Sequence, residues 1–345
     1  MRELCEFSVI YQNNQKGQIH MYSIKYPLKL QPAYKDYLWG GNKMKQLYNK
    51  QNNMTVTAES WELSCHPDGK SRIANGAYAN QLLADVLQQH PEYVAHNFTA
   101  QQTFPILIKL IDAEQDLSVQ VHPSDDTADR ASGEQGKAEM WYVIHCEPQS
   151  YIYYGLNQEV SQERLIRRAE DGSICKVLNK VPVHQGDIFF IHPGTIHALG
   201  KGIIIAEIQQ NSNTTFRVFD YCRKDSHGNQ RPLHIDRAAQ VINYQPMVPD
   251  QAGENNQMHT NAYDYAQIFT CEYFKVARVR CRSEISLHCD KKSFHAIVVI
   301  RGNGTLYYSD DAYPLKAGDS YYIPANAGVY RIIVDEPMEF LLSMI

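Results

Sequence analysis

No apolar run in this chain of 345 residues approaches the ~18–20 residues that a bilayer-spanning helix needs. There is no surplus of basic charge either: the formal net charge is -5, which leaves no general footprint for nucleic acid or an anionic membrane. Any anion binding must therefore be local. The eight cysteines (Cys5, Cys65, Cys146, Cys175, Cys222, Cys271, Cys281 and Cys289) form no Cys-x-x-Cys pair and no regular framework. Scattered thiols in a chain this long read as reduced, and the expected compartment is the cytoplasm. The N-terminus has Glu3, Glu6 and polar Gln and Asn residues where a signal peptide would have a basic and then an apolar segment. Residues 1–20 read as an extension or an over-long start, with a short edge strand at Phe7–Tyr11 as the alternative. A recognisable pattern opens at Met21.

What the chain does have is strands. Val56–Leu63, Ile106–Ile111, Ser118–Val121, Glu139–Ile144, Ser150–Tyr154, Asp187–Ile191 and Gly202–Gln209 are β-branched or aromatic runs between Gly, Pro, Asn and Asp turns. Helical periodicity interrupts them at Asn80–His96 and Ser161–Glu170. After a polar segment around Asp250–Thr260, strands resume over 260–345. Both halves carry one phrase, Gly-Asp followed by aromatic or apolar residues and Pro: Gly186 to Pro193 and Gly318 to Pro324. The expected fold is mainly β, two jelly-roll units with a small helical insertion: a catalytic unit over 21–250 and a smaller one over 260–345.

The chemistry gathers in the first half. Gln120 and His122 stand two apart in Leu117-Ser118-Val119-Gln120-Val121-His122-Pro123, so a strand turns both to one face. Glu139 and His197 lie in similar surroundings and complete a candidate N/O metal site. A Gln–His–Glu–His set without cysteine suits a metal used on oxygenated substrates, because two imidazoles, one carboxylate and one amide leave room for water or substrate oxygens. Glu207 follows Ile203-Ile204-Ile205-Ala206, and a carboxylate in so apolar a strand needs a metal, a basic partner or a catalytic duty. The second Gly-Asp phrase has no histidine matching His197, and no metal is expected there. His66, His145, His184, His192 and His295 read as structural or surface residues.

The segment from Gly186 through His197 to Gly200 resembles the second signature of cupin barrels, with His197 at the metal-binding histidine. The first signature departs from the usual two histidines, having Gln120/His122 with Glu139 after a polar loop. That departure resembles type I, zinc-dependent mannose-6-phosphate isomerases in their short bacterial form. Separate blocks carry the likeness in order from Met21 onward: Tyr37-Leu38-Trp39-Gly40-Gly41, Ala58-Glu59-Ser60-Trp61-Glu62-Leu63-Ser64, Phe104 to Ala113, Leu117 to Pro123, Gly136 to Tyr142, the His197 block, and Glu207 to Arg223.

The resemblance implies one Zn²⁺ per chain on Gln120, His122, Glu139 and His197. It also implies an active-site pair, Glu207 and Arg217, and phosphate contacts at Ser118 and Arg223. Lys137, two before Glu139, would share its strand face and hold a sugar oxygen or polarise the carbonyl. Trp39 and Trp61 are candidate pocket walls. The implied reaction interconverts mannose 6-phosphate and fructose 6-phosphate through a cis-enediol, with Glu207 as the C–H base. The expected partners are these sugar phosphates, with neither nucleic acid nor membrane, on a monomer or weak homo-oligomer. A cupin dioxygenase using Fe²⁺ or Mn²⁺ and a non-catalytic sugar-phosphate sensor are the alternatives. Gln120, Glu207 and Arg217 argue against the first, and a complete residue set argues against the second.

Overall fold

A computed structural model describes residues 25–128, 134–225, 227–249 and 255–345. The extension over residues 1–20, including Phe7–Tyr11, lies outside the described residues, as do Met21 and part of the polar segment near Asp250. The fold is mainly β, as the strand pattern predicts. Antiparallel sheets of eight, six, five and four strands are stacked in two sandwiches.

The first sandwich joins the six- and five-stranded sheets. Its interior holds Ile111, Trp141, Val143, Ile203 and Ile205 from one sheet and Ile152, Tyr154 and Leu199 from the other. The second joins the eight- and four-stranded sheets around Val279, Ile297, Leu306, Ile332 and Phe340. The sandwiches then pack against each other, with Ile108, Leu110, Ile204 and Ile208 meeting Val276, Val298 and Leu341. The six-stranded sheet is thereby covered on both faces. This explains why all eight residues of Ile106–Ala113 and all eight of Ile203–Gln210 are buried, and why these strands read as continuous apolar runs instead of alternating ones.

The helical signals resolve into short elements. Ser161 caps Gln162–Glu170 by accepting from Arg164 N–H at 3.3 Å, and Leu165 and Ala169 pack on the outer face of the five-stranded sheet. The other helix is shorter than its periodicity suggests, Leu83–Gln89, because Pro91 cannot continue it and opens a 3₁₀ turn, Pro91–Tyr93. The strand Leu28–Gln31, early in the chain, pairs antiparallel with Ser320–Ile323 and so belongs to the eight-stranded sheet. That pairing ties the two sandwiches together across nearly the whole chain.

Candidate active site

The strand Val119–Val121 turns Val119 and Val121 outward, into the apolar layer beneath the helices. Ser118 and Gln120 therefore face inward, where they line a cavity of about 220 Å³. Across this sheet Gln120 sits opposite His197 on one side and opposite Arg217 on the other. The His197 turn is anchored on a second candidate ligand: Gly194 N–H donates to the His122 carbonyl at 2.9 Å. Gly194 has a φ of +84°, and a Cβ there would lie 2.8 Å from the Val241 carbonyl, so the turn requires glycine.

His122, Glu139 and His197 converge, with ligand atoms within 4.8 Å of one another, and all three are buried. Glu139 comes from the opposite sheet. Its carboxylate oxygens lie 3.4 Å from His122 Nε2 and 3.3 Å from His197 Nε2. Each imidazole has its Nδ1 at 2.8 Å from a backbone carbonyl, of Thr214 and of Thr195 respectively. With Nδ1–H donating there, both Nε2 lone pairs point at the carboxylate. His197 Nε2 and Glu139 Oε1 are buried and have no hydrogen-bond partner. The His197 lone pair and Glu139 Oε1, 3.3 Å apart, repel unless a cation lies between them, so the residues fit a divalent metal. Burial and then the Lys137 ammonium hold the His122 imidazole well below its ordinary pKa, in the neutral form that ligation needs. Burial opposes ionisation of Glu139, yet the Lys137 ammonium leads the contacts that hold its carboxyl well below the usual range.

The six-stranded sheet contributes a row of register partners: Trp141, Glu207, Lys109 and Trp61. Trp141 Nε1–H donates to Glu207 Oε2 at 3.1 Å, and Lys109 Nζ lies 3.2 Å from Glu207 Oε1. Burial and then the Glu139 charge push the Glu207 carboxyl above its ordinary pKa, against the pull of Lys109 and Lys137. A carboxylate of raised basicity beside fixed cations is what a general base requires. Lys109 is buried, and although burial favours its neutral form, Glu59 and Glu207 hold it charged. Lys137 Nζ sits 2.9 Å from Glu139 Oε2, 3.1 Å from His122 Nε2 and 4.0 Å from Glu207 Oε1, bridging the metal cluster and the base.

Gln120, His122, Glu139, His197, Lys137 and Glu207 are therefore brought together, and Ser118 and Arg217 line the same cavity. Arg223 is not in its lining; its guanidinium is held by Asp220 and the Asp116 carbonyl. Trp39 lines the cavity, while Trp61 stands behind it and donates to Glu59 at 2.7 Å. Sequence reasoning missed Lys109, Glu59 and Arg231, all cavity-lining.

Two family models match in order along the chain. That of the phosphomannose isomerase type I catalytic domain covers residues 28–137, and that of the mannose-6-phosphate isomerase cupin domain covers 265–335. Mannose-6-phosphate isomerase ManA of Bacillus subtilis is 36% identical over 309 residues, 89% of this chain and 95% of that protein. The chain belongs to the mannose-6-phosphate isomerase family. The mannose-6-phosphate isomerase of Streptococcus mutans is 33% identical over 318 residues, 92% of this chain and 98% of its own. Among solved structures, a Bacillus subtilis mannose 6-phosphate isomerase superposes with a TM-score of 0.84 at 33% identity, over 92% of this chain and 99% of that one. A zinc-bound mannose 6-phosphate isomerase, 16% identical, shares the fold with a TM-score of 0.71, over 91% of this chain and 98% of its own. As a member of this isomerase family the protein is an enzyme, and its His122/Glu139/His197 group is able to hold a metal ion.

Proposed function

We propose that the enzyme interconverts mannose 6-phosphate and fructose 6-phosphate by moving one proton between C2 and C1 of the open-chain sugar. The observation that carries this reading is the pairing of a buried, metal-capable His122/Glu139/His197 cluster with a buried Glu207 carboxyl in one cavity. The relatives named for this activity, and the zinc in one structural neighbour, point the same way.

Gln120, His122, Glu139 and His197 would hold one Zn²⁺ per chain. When bound, such an ion supplies positive charge near the carbonyl and hydroxyl oxygens of the sugar. Glu207 Oε1, which takes no hydrogen bond, removes the C2 proton of the aldose. The C–H electron pair becomes the C1–C2 double bond while the C1=O1 π pair moves onto O1, which takes up a proton to give a cis-enediol. As the oxygens exchange a proton, Glu207 returns its own to C1 and gives the ketose; the reverse reaction uses the same atoms. Trp141 Nε1–H fixes the carboxylate at Oε2, and Lys109 keeps it charged between turnovers. Lys137, which lies between Glu139 and Glu207, offers a cation to the developing enediolate. Ser118 and cavity-lining arginines in and beyond the strand Phe216–Phe219 hold the phosphate.

Among the described residues no helix is long and apolar enough to cross a membrane, and seven cysteines stand free. Free thiols suit a reducing cytoplasm, and we take the enzyme to work there as a monomer or weak homo-oligomer. A coupled assay for the interconversion, with and without chelator, tests the reading, and metal analysis gives the stoichiometry. Activity lost on chelation and restored by Zn²⁺ is expected. Glu207→Gln should abolish turnover with metal content near wild type, and an active variant would sink the base assignment.

A further inference from the structure

Three arginines and one carboxylate meet at the side of the cavity two strands away from His197, where Arg217 is aligned with Gln120. Asp220, buried at the end of the strand Phe216–Phe219, accepts two bonds from Arg231: Nε at 2.8 Å and Nη2 at 2.6 Å. Arg223 Nη2 donates to the same carboxylate. Arg217 is fixed to the same loop, because its Nη1 donates to the Pro232 carbonyl at 2.8 Å. The backbone repeats the attachment: His234 N–H donates to the Arg217 carbonyl at 2.7 Å, and Arg217 N–H to His234 Nδ1 at 3.1 Å. Tyr221 and Cys222, with φ of +56° and +54°, turn the chain back on itself here. Two successive non-glycine residues in the left-handed region cost on the order of 1–3 kcal/mol each, a strain tolerated where the surroundings demand it.

The charges in this cluster do not cancel. One carboxylate pairs with two guanidiniums, Arg217 adds a third charge beside them, and its Nε is buried without a hydrogen-bond partner. Burial and then repulsion from Arg231 act against the Arg217 charge, with Asp220 opposing them. Only two of the three arginines, Arg217 and Arg231, line the cavity. A dianion between them would satisfy the orphaned donor and relieve the repulsion, and guanidinium forks suit a phosphate. Two strand spacings, about 10 Å, separate Arg217 from His197 on the far side of Gln120, on the order of the reach of an open six-carbon chain with a terminal phosphate.

We propose that Arg231 is the second arm, with Arg217, of the clamp for the substrate phosphate, and that Asp220 positions Arg231 for it. This deepens the isomerase reading and rests on it for the identity of the anion. The role given by resemblance to Arg223 thereby passes to Arg231, and Arg223 braces the Asp220 turn.

The test uses the full chain with Arg231→Met, Arg231→Lys, Asp220→Asn and Arg223→Met, read by steady-state kinetics on mannose 6-phosphate and by calorimetry with inorganic phosphate. Arg231→Met should raise KM about 10- to 100-fold, the loss of one charge-assisted pair, with kcat within about threefold. It should weaken phosphate binding by a similar factor and leave metal content unchanged. Arg231→Lys should recover part of the loss, since it restores the charge without the fork. Asp220→Asn should raise KM while leaving kcat, and Arg223→Met should raise KM less than Arg231→Met does. A KM within twofold of wild type in Arg231→Met, or a loss carried by kcat alone, overturns the proposal. So does an equal or larger KM effect in Arg223→Met. Should Arg231→Met fail to fold, Arg231→Lys decides: wild-type KM and phosphate affinity in it would overturn the fork. Wild-type protein that binds phosphate through Arg231 but turns over no mannose 6-phosphate would refute the isomerase reading and leave the clamp standing.

Discussion

In the first sandwich Gly186, with φ of +93°, donates its N–H to the Val143 carbonyl at 2.8 Å, and Val143 N–H returns a bond to Asp187 at 2.9 Å. In the second, Gly318 has φ of +87°, donates to the Val299 carbonyl at 2.8 Å, and Val299 returns a bond to Asp319 at 2.9 Å. The strands that follow keep step: Ile191 is opposite Glu139, and Ile323 is opposite His295. One row further in, the first sandwich sets Trp141, Glu207 and Lys109 side by side, where the second sets Ile297, Leu342 and Ala277. The backbone frame is therefore common to both, and the row it carries is charged in one and apolar in the other. A jelly roll does not need a polar interior. The first sandwich keeps three buried charges in one row and its flank (Glu207, Lys109, Glu59) at a cost in desolvation that the second avoids, and function is the physical reason to keep them.

The largest effect should come from giving the first row the second row's residues. Glu207→Leu with Lys109→Ala should lower kcat by at least about 10³-fold, within the range assigned to a positioned base. Stability should hold or rise, because replacing a buried ion pair by apolar groups is often neutral or favourable by about 1–4 kcal/mol. The coupled assay and a urea titration measure the two sides. A double variant that is both inactive and strongly destabilised would show the charges to be part of the architecture. The reverse change comes next. Leu342→Glu places an unpaired carboxylate in the second core and should cost about 3–5 kcal/mol, of which an added Ala277→Lys should recover part through direct coupling. Strictly additive losses in the double variant would mean that the rows are not equivalent.

The parts of this comparison that were legible in sequence are those written in local pattern. Gln120 and His122 declare themselves because a period of two puts both on one face, and the Gly-Asp phrase marks a turn whose positive φ needs glycine. Lys109 escaped notice for the opposite reason. A lysine in Ile106-Leu107-Ile108-Lys109-Leu110-Ile111 reads as the solvent-facing member of a strand, and only the covering of that sheet on both faces shows it to be buried. The lack of any polar alternation around it was the available signal. Arg231 stands in a polar stretch with Gly228 and Pro232, which reads as a solvated loop, and its bond to Asp220 spans 11 residues with no periodicity to announce it. The pairing of Leu28 with Tyr322 is likewise invisible to local pattern, since nothing near either residue encodes the other.

A smaller difference separates the sandwiches in acid. His295 occupies the register position of Glu139, is buried, and has its Nδ1 2.9 Å from the Tyr330 hydroxyl. Burial pushes its pKa from 6.5 down to about 4, with Asp290 opposing and His288 assisting. Between those values the unfolded chain binds a proton that the folded chain does not, so stability is complete above the unfolded pKa of about 6.5 and declines as pH falls towards about 4. The loss should reach roughly 3 kcal/mol, at 1.36 kcal/mol per unit. Urea titrations at several values across that window should show it, and His295→Gln should flatten the profile. An unchanged slope in His295→Gln would assign the acid sensitivity to other groups.

The smallest effect concerns the cover that only the first sandwich has. Its five-stranded sheet carries the helix Gln162–Glu170 on its outer face, whereas the strands of the four-stranded sheet alternate buried and exposed residues, as expected for a sheet open to water. Leu165 and Ala169 pack in the same layer as Val119 and Val121, the two residues that flank Gln120. Ser161→Ala removes the N-cap bond to Arg164 N–H and should cost about 0.5–1 kcal/mol through fraying of the first helical turn. Leu165 lies beyond that turn, and the strand behind Gln120 is held independently by its register with His197 and Arg217. Metal content and kcat should therefore stay within about twofold of wild type while the melting temperature falls. A larger fall in kcat at a temperature where the variant is fully folded would mean that the helix helps to hold the ligand strand in place, and that the two sandwiches differ in support as well as in the row of charges they enclose.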